Sequence, residues 1–399
     1  MDLRSGHSYW LIRNGLLHTF PPLEKNLKCD VLVVGGGITG ALMAWHLTEA
    51  GFSTTVLDRR DIAWGSTAAS TALLQYEIDT PLRELIPRMG QDHAVRAYHA
   101  CRDAIGKLHR LTSRLPNPCD FSLRKSLYVA PTRKAAAELA EEFELRRAHG
   151  FEVEWWNPEM FERHFSFERP GGILSQDAAQ VDPYRLAYEL LTQAQSMGLG
   201  VHDRTTVVDY DLAKRGITAR TDRGAMVKAK HVVFATGYEA REFLDRKIVD
   251  LRSTYALISE PLAAPVWHQE CLIWEHADPY LYMRTTADHR VIIGGEDEAF
   301  HNPTQRDKML PAKIRTLQKK FARYFPRLSL EVAFAWAGTF GETKDGLAYI
   351  GQVPEYPSAS FTLGFGGNGI TYSILAAEMI RDRLRNVASP YQGLFDFGR

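Results

Sequence analysis

The sequence predicts a mixed α/β fold in which a parallel β-α-β unit is interwoven with a more antiparallel region. Three observations carry this. A β-branched run, Cys29 to Val34, meets three successive glycines, Gly35 to Gly37, and then a helical stretch to Ala50. Strand and helix patterns alternate near both ends of the chain, whereas 201–233 and 252–294 read as short strands. The chain has 399 residues, which at about 150 per domain suggests two or three modules.

Taken in order, 1–28 reads as an irregular lead-in broken by Pro21 and Pro22. Cys29–Val34 is a buried strand. Ile38–Ala50 is a helix with Ile38, Ala41, Leu42, Trp45 and Ala50 giving an apolar face, and Gly51 stops it. Thr54–Leu57 completes the unit. Residues 81–150 are mainly helical, with helices Gln91–Leu115 and Arg133–His149 flanking a strand Ser126–Ala130. Arg185–Met197 is a helix ended by Gly198. Val201–Val233 is a meander returning to the first sheet, with turns at Arg215–Gly216 and Arg223–Gly224. Strands follow near Arg252–Ile258, Tyr280–Arg284 and Arg290–Gly294. A helix Pro311–Tyr324, a strand Ser360–Leu363, a glycine-rich loop and a helix Ile370–Leu384 close the pattern.

Composition excludes several classes. Lys plus Arg equals Asp plus Glu at 48 each, so there is no basic excess for nucleic acid. A hydrophobic content of 45% with 24% charged is that of an ordinary globular protein and not of a disordered one. Cys29, Cys101, Cys119 and Cys271 are scattered, which argues for reduced thiols over a disulfide framework or zinc site. No metal-ligand spacing is seen among the histidines, and His231, before a buried strand, reads as structural. The amino end lacks an apolar leader. Val31–Thr48 carries no Asp, Glu, Lys or Arg, but its glycines make a strand, turn and helix a better reading than a membrane span. The expectation is a cytoplasmic protein with no integral membrane segment.

Gly35, Gly37 and Gly40 form G-x-G-x-x-G between a strand and a helix, the context that motif needs. Gly35 permits the tight turn, Gly37 lets a pyrophosphate approach the backbone, and Gly40 lets helix and strand pack closely. Free N–H groups at the helix start, at Ile38 and Thr39, face the phosphates. Asp58, 21 residues after Gly37, stands at the end of the next strand, where an acid accepts hydrogen bonds from the adenosine ribose; Arg59 adjoins it. This is a Rossmann-like dinucleotide site. Three further stretches point to FAD: the small polar Gly65-Ser66-Thr67-Ala68-Ala69-Ser70, the strand end Ala235-Thr236-Gly237, and the loop Gly364 to Thr371 feeding a late helix.

With these residues the chain resembles the D-amino-acid-oxidase-like FAD-dependent oxidoreductases, a superfamily that includes glycine and sarcosine oxidases and γ-glutamylputrescine oxidase. The resemblance covers Ser8 to Leu384. Its more specific part is Trp336-Ala337-Gly338, then Lys344-Asp345-Gly346-Leu347, then Gly364 to Thr371. It implies an α/β (α+β) fold, with a Rossmann-like FAD-binding domain intertwined with an antiparallel-sheet substrate domain. The expected division gives 1–80, 170–245 and 330–399 to the FAD domain and 81–169 and 246–329 to the cap. It implies that Gly65, Ser66, Thr67, Ala68 and Ala69 run along the pyrophosphate and flavin, and that Val207 holds adenine by its backbone. Ala235, Thr236 and Gly237 pass the adenosine side. Gly366, Gly367, Asn368, Gly369, Ile370 and Thr371, with Gly338, approach the flavin. A helix N-terminus there favours the negative charge that develops on reduction.

The substrate side departs from the better-known relatives. The arginine with which glycine oxidases hold a carboxylate falls at Phe340 here. The corresponding arginine and lysine of sarcosine oxidases fall at Gln75 and Thr371, and the lysine with which they activate oxygen falls at Ile292. Their covalent cysteine falls among Ala335, Trp336 and Ala337, so FAD is expected to be held noncovalently. A bidentate arginine is the usual partner of a buried carboxylate, and its absence points away from small α-amino acids and toward an amine of a longer molecule. The start Ser8-Tyr9-Trp10, followed by a proline pair, also resembles γ-glutamylputrescine oxidase. Tyr280, Tyr282 and Arg284 alternate on one strand face. Arg284 is either an anchor for an anionic part of the substrate or a surface arginine on an edge strand. Tyr255, Trp274, Trp336 and Phe340 are cavity candidates, with plain core as the alternative. Lys344 and Asp345 read as turn residues. No acidic residue is identifiable as an amine anchor.

The leading reading is an FAD-dependent oxidoreductase that oxidises a C–N bond of an amine by hydride transfer to flavin N5, giving an imine that hydrolyses. Its partners are a small-molecule amine and O₂ or another electron acceptor. The alternatives are an FAD-dependent 2-hydroxyacid or amino-acid dehydrogenase anchored by Arg284, and a flavoprotein subunit of a heteromeric complex.

Overall fold

A strand with no charged residue has to be covered on both faces, and Val31–Val34 is. In the computed structural model, which describes residues 2, 4–213, 216–242, 244 and 248–399, the strand Leu27–Val34 lies inside a sheet. Among the described residues that sheet has the order Tyr349–Gly351, Ala359–Leu363, Met226–Phe234, Leu27–Val34, Thr54–Leu57, Gly200–His202. From Ala359–Leu363 to Gly200–His202 all neighbours are parallel. Val207–Ala213 and Gly216–Thr221 extend antiparallel from Met226–Phe234, so the meander does return to the first sheet. Arg215 of its expected first turn lies outside the described residues.

The helix Ile38–Glu49 is buried from Gly40 to Thr48. It packs between the helices Gly369–Leu384 and Pro183–Ser196, so it is apolar on more than the one face expected.

The second sheet runs Arg4–Gly6, Val332–Glu342, Asp250–Ser259, Val291–Ala299, Leu281–Thr285, Leu272–Glu275, Ser122–Ala130, Gly171–Gln180, Leu73–Gln75, with Val153–Trp156 also on Gly171–Gln180. Its pairs are antiparallel except Leu272–Glu275 on Ser122–Ala130. The helix Pro303–Tyr324 covers one face and closes a core containing Tyr255, Leu257, Ile293, Leu317 and Phe321. Among the described residues no helix is long and apolar enough to cross a membrane.

The differences from expectation have local causes. The lead-in is not irregular: it forms the strand Arg4–Gly6 and the helix Tyr9–Asn14. The late helix starts eight residues before Pro311, at Pro303, where Asn302 accepts a hydrogen bond from the Gln305 N–H at 2.9 Å. Pro303 takes the first helical turn, where its missing N–H costs nothing, and Pro311 lies inside the helix. The strands Gly171–Gln180 and Val332–Glu342, assigned to the cofactor domain by the expected division, pair within the second sheet. The expected boundary at 245 lies outside the described residues.

One buried ion cluster ties the helix Arg133–Ala148 to the segment that follows the strand Leu73–Gln75 of the second sheet. Arg146 donates to Glu142 at 2.7 Å and Glu77 at 3.2 Å, and Glu142 also accepts the N–H groups of Leu82 and Arg83. The rings of Tyr76, Tyr98 and Tyr128 lie within 5.9 Å of the guanidinium carbon. Arg146→Met strands two buried carboxylates and is expected to cost about 3–5 kcal/mol, read from the urea midpoint. Adding Glu142→Gln should recover part of the loss. An unchanged midpoint in the single variant would show that the cluster carries no net stability.

Candidate functional site

A cavity of about 970 Å³ runs from Thr205–Val207, past Gly35, Gly37 and Gly65–Thr67, to Gly364–Ile370, and spreads under the second sheet at Thr254, Tyr280, Tyr282, Asp297 and Phe340. The glycines explain its first half. Gly35 has φ +106°, and a Cβ there would lie 2.5 Å from the Ala235 carbonyl oxygen. A Cβ on Gly40 would lie 1.8 Å from the Gly35 carbonyl oxygen, which is the close packing the motif predicts, although Gly40 itself is not on the cavity wall. A Cβ on Gly37 would meet only Thr67 Oγ1, at 3.0 Å. Its other side is the open cavity.

The helix Ile38–Glu49 has no capping side chain at Gly37; Thr67 Oγ1 accepts from the Ile38 N–H at 2.9 Å, and Thr39 Oγ1 lies 2.8 Å from Ser373 Oγ. Asp58 lines the cavity and accepts the N–H of Gly36 at 2.6 Å and of Arg60 at 2.8 Å. Burial pushes its carboxyl up to about 6 against those two bonds. Arg59 pairs with Glu239 beside it. Ser66 Oγ and Thr236 Oγ1 are buried without a partner among the described residues. Val207, Ala235, Gly237 and Gly338 are on the wall, whereas Ala68 is buried behind it.

At the far end the helix Gly369–Leu384 again lacks a side-chain cap. Asn368 turns away and donates to the carbonyls of Gln75 at 3.1 Å and Glu77 at 2.9 Å. The first-turn N–H groups therefore stay available. Gly366 to Ile370 line the cavity, while Thr371 is buried and donates to Gln75 O at 3.3 Å.

Three expected substrate residues are elsewhere. Trp336 donates through Nε1 to Ala69 O at 2.8 Å, Trp10 to Ser70 O at 2.7 Å, and Arg284 through Nε to Thr71 O at 2.7 Å. The small-residue loop thus lies across the sheet and covers Trp336 and Arg284, although they share a face with Phe340 and Tyr282. Arg284 also donates to Val181 O at 3.2 Å, and burial lowers its pKa; it is neither a cavity anchor nor a surface residue. Tyr255 points to the opposite face, into the core under the helix Pro303–Tyr324, because side chains alternate and its neighbour Thr254 takes the cavity side. Phe340, Tyr282, Tyr280 and Trp274 do line the cavity. Ile292 is fully buried in the core.

The sequence reading missed the acids. Asp79, Asp297 and Glu342 line the cavity near the glycine loop, with Glu77, Glu84, Glu138, Glu275 and Asp278 farther along, against Arg83, Lys134 and Arg252. Asp79 accepts the Gly367 N–H at 3.2 Å and sits so close that a Cβ on Gly366, at φ +52°, would lie 1.7 Å from its Oδ2. Burial pushes Asp79 up to about 7. Asp297 was hidden by a β-bulge. Gly294 pairs with Tyr282 on the cavity face, and the positive φ of Gly295 and Glu296 inserts a residue, so that Asp297 returns to that face. The Gly294-Gly295 pair inside a strand pattern is the signal that marks such a bulge.

The family model described as FAD dependent oxidoreductase (DAO) matches residues 30–383. The chain belongs to that family. Gamma-glutamylputrescine oxidoreductase of Escherichia coli strain K12 is 24% identical over 394 residues, 96% of this chain and 90% of that protein. Glycine oxidase of Bacillus subtilis is 23% identical over 372 residues, 90% and 93% of the two chains. The crystal structure of glycine oxidase from Geobacillus kaustophilus superimposes with a TM-score of 0.77 at 20% identity, covering 93% of this chain and 99% of that one, and shows the shared fold. This FAD-dependent oxidoreductase therefore carries the family's fold.

The residues present fit the cofactor: a bare Gly37, the start of the helix Ile38–Glu49 with its Ile38 N–H taken by Thr67, the uncapped start of the helix Gly369–Leu384 and the unpartnered hydroxyls of Ser66 and Thr236 line one continuous cavity. Gly37→Ala should leave the fold intact and weaken FAD binding roughly tenfold or more, about 1.4 kcal/mol, measured by flavin fluorescence. Gly40→Ala should instead cost about 1–3 kcal/mol of stability, measured by thermal unfolding of the apoprotein. The assignment of Gly37 to the approach path is wrong if the two variants behave alike.

Proposed function

We propose that the enzyme oxidises a C–N bond of an amine, with hydride passing to flavin N5 and the resulting imine hydrolysing. Bound FAD supplies the hydride acceptor. Gly35, Gly37–Thr39, Gly65–Thr67 and Ala69 would hold its pyrophosphate side, Asp58 its ribose, Val207 its adenine, and Gly366–Ile370 its pyrimidine end, with Ala68 and Thr371 buried behind the wall as supports. Among the described residues no cysteine lines the cavity, which supports noncovalent attachment. The acceptor would be O₂ or another molecule, the setting cytoplasmic, and the two domains those of the two sheets, with Gly171–Gln180 and Val332–Glu342 moved from the FAD domain to the substrate domain.

The observation that carries the amine reading is the charge of the substrate end. A buried carboxylate on a substrate needs a cation to meet it. Arg252 is already engaged by Glu342 at 2.9 Å, Arg83 by Glu84 and Glu138 and Lys134 by Glu138, and Arg284 is closed off behind the Thr71 and Val181 carbonyls. Acids face the cavity instead, with Tyr280, Tyr282 and Trp274 as an aromatic wall suited to an alkylammonium. The 2-hydroxyacid and amino-acid readings lose the anchor they required.

In an anaerobic titration of the purified yellow protein, aliphatic amines should bleach the flavin band and 2-hydroxy acids should not. Readmitting air then separates an oxidase from a dehydrogenase. Bleaching by acids alone would sink the amine reading.

A further inference from the structure

We infer that Asp297 receives the ammonium group of the substrate and takes one proton from it, an inference that rests on the amine reading above. The strand Val291–Ala299 bulges at Gly295 and Glu296 and so turns this side chain into the cavity. Neither carboxylate oxygen makes a hydrogen bond of normal geometry among the described residues, and the Thr254 and Tyr280 hydroxyls are the donors that face them. A buried carboxylate left short of hydrogen bonds is costly, so the site is built for a donor that arrives from outside.

The surrounding groups leave that role open. Arg252 and Thr254 face Asp297 from the strand Asp250–Ser259, Glu342 from Val332–Glu342, Tyr280 and Tyr282 from the strand beside it, and Asp79 from the segment under the glycine loop. Arg252 is committed to Glu342. Asp79 is occupied by the Gly367 N–H. The two phenols are held neutral, because burial raises both pKa values. The Thr254 and Tyr280 hydroxyls stand near enough to Asp297 to ease its ionisation only in part. An alkylammonium brings one positive charge and N–H donors, which is the complement this wall lacks.

The step balances as a proton transfer. R–CH₂–NH₃⁺ and the Asp297 carboxylate give R–CH₂–NH₂ and the carboxylic acid, with no electrons moved. The freed nitrogen lone pair then assists loss of hydride from the adjacent carbon, which a protonated amine cannot do. Burial, and after it the charge of Glu342, hold the Asp297 carboxyl up to about 7, which makes it a better base near neutrality than an exposed aspartate.

The test uses the FAD-loaded enzyme and Asp297→Asn, with Asp297→Ser in its place if the first variant does not retain FAD. The first readout is flavin absorbance on titration with tert-butylamine, which is cationic at neutral pH and has no hydrogen on the carbon bearing nitrogen, so it binds without being oxidised. The variant should bind it about 30-fold or more weakly at pH 7. The second readout is the rate of anaerobic bleaching by n-butylamine. It should fall roughly 100-fold at pH 7 and recover to within about tenfold near pH 10.5, where much of the amine arrives neutral. The inference is overturned if tert-butylamine binds both proteins equally or neither, or if the rate loss is the same at every pH. If tert-butylamine discriminates the two proteins but no amine bleaches the wild type, recognition by Asp297 stands and the amine-oxidation reading falls.

Discussion

The cofactor groove depends on three consecutive carbonyl groups that had to find donors. Ala69, Ser70 and Thr71 form a loop laid across the face of the second sheet, between it and the cavity. Each oxygen accepts from a different buried side chain: Trp336, Trp10 and Arg284. Those donors come from the strand Val332–Glu342, the helix Tyr9–Asn14 and the strand Leu281–Thr285. An unmet buried carbonyl costs about 1–3 kcal/mol, so the three bonds fix the loop against both the amino-terminal segment and the sheet. The groove wall is then the loop itself, and two side chains that alternation aims at the groove become its supports.

That arrangement explains which parts of the site could be read from sequence. The Gly35–Gly40 turn, its strand and its helix are local, and their chemistry is set by neighbours within a few residues; they form as expected, with Leu27–Val34, Ile38–Glu49 and Thr54–Leu57 in register. Tyr282 was found by alternation, and Phe340 by the family position at which glycine oxidases carry an arginine; both line the cavity. Trp336 and Arg284 obey the same alternation, and what separates them from Phe340 and Tyr282 is a loop more than two hundred residues away in the chain. Tyr255 was misplaced by one position of the two-residue period, which is enough to move a side chain to the other face.

The acids were missed for a different reason. The chain as a whole is neutral, with equal numbers of acidic and basic residues, and many surface charges are paired, as in Arg147 with Glu144 and Arg290 with Asp288. Composition averages over those pairs and hides a cavity in which acids predominate. Asp79 comes from a segment without a motif, and Asp297 reaches the cavity only because of the bulge. Neither lies near the other in sequence, so no spacing rule joins them.

Two opposing electrostatic effects meet at the glycine loop. The uncapped start of the helix Gly369–Leu384 presents the positive end of its dipole there, which favours negative charge in the adjoining cavity. The Asp79 carboxylate, accepting the Gly367 N–H, puts a negative charge within the same turn when ionised and none when protonated. Its raised pKa, near 7, means that this balance changes over the neutral range. Below that point the helix end acts alone. Above it, ionised Asp79 offsets the helix end and repels Asp297, whose titration the same burial has already moved upward. A cation entering between these carboxylates relieves that repulsion, so the charge that best suits this end of the cavity is positive. For an anionic substrate both acids would have to be protonated first.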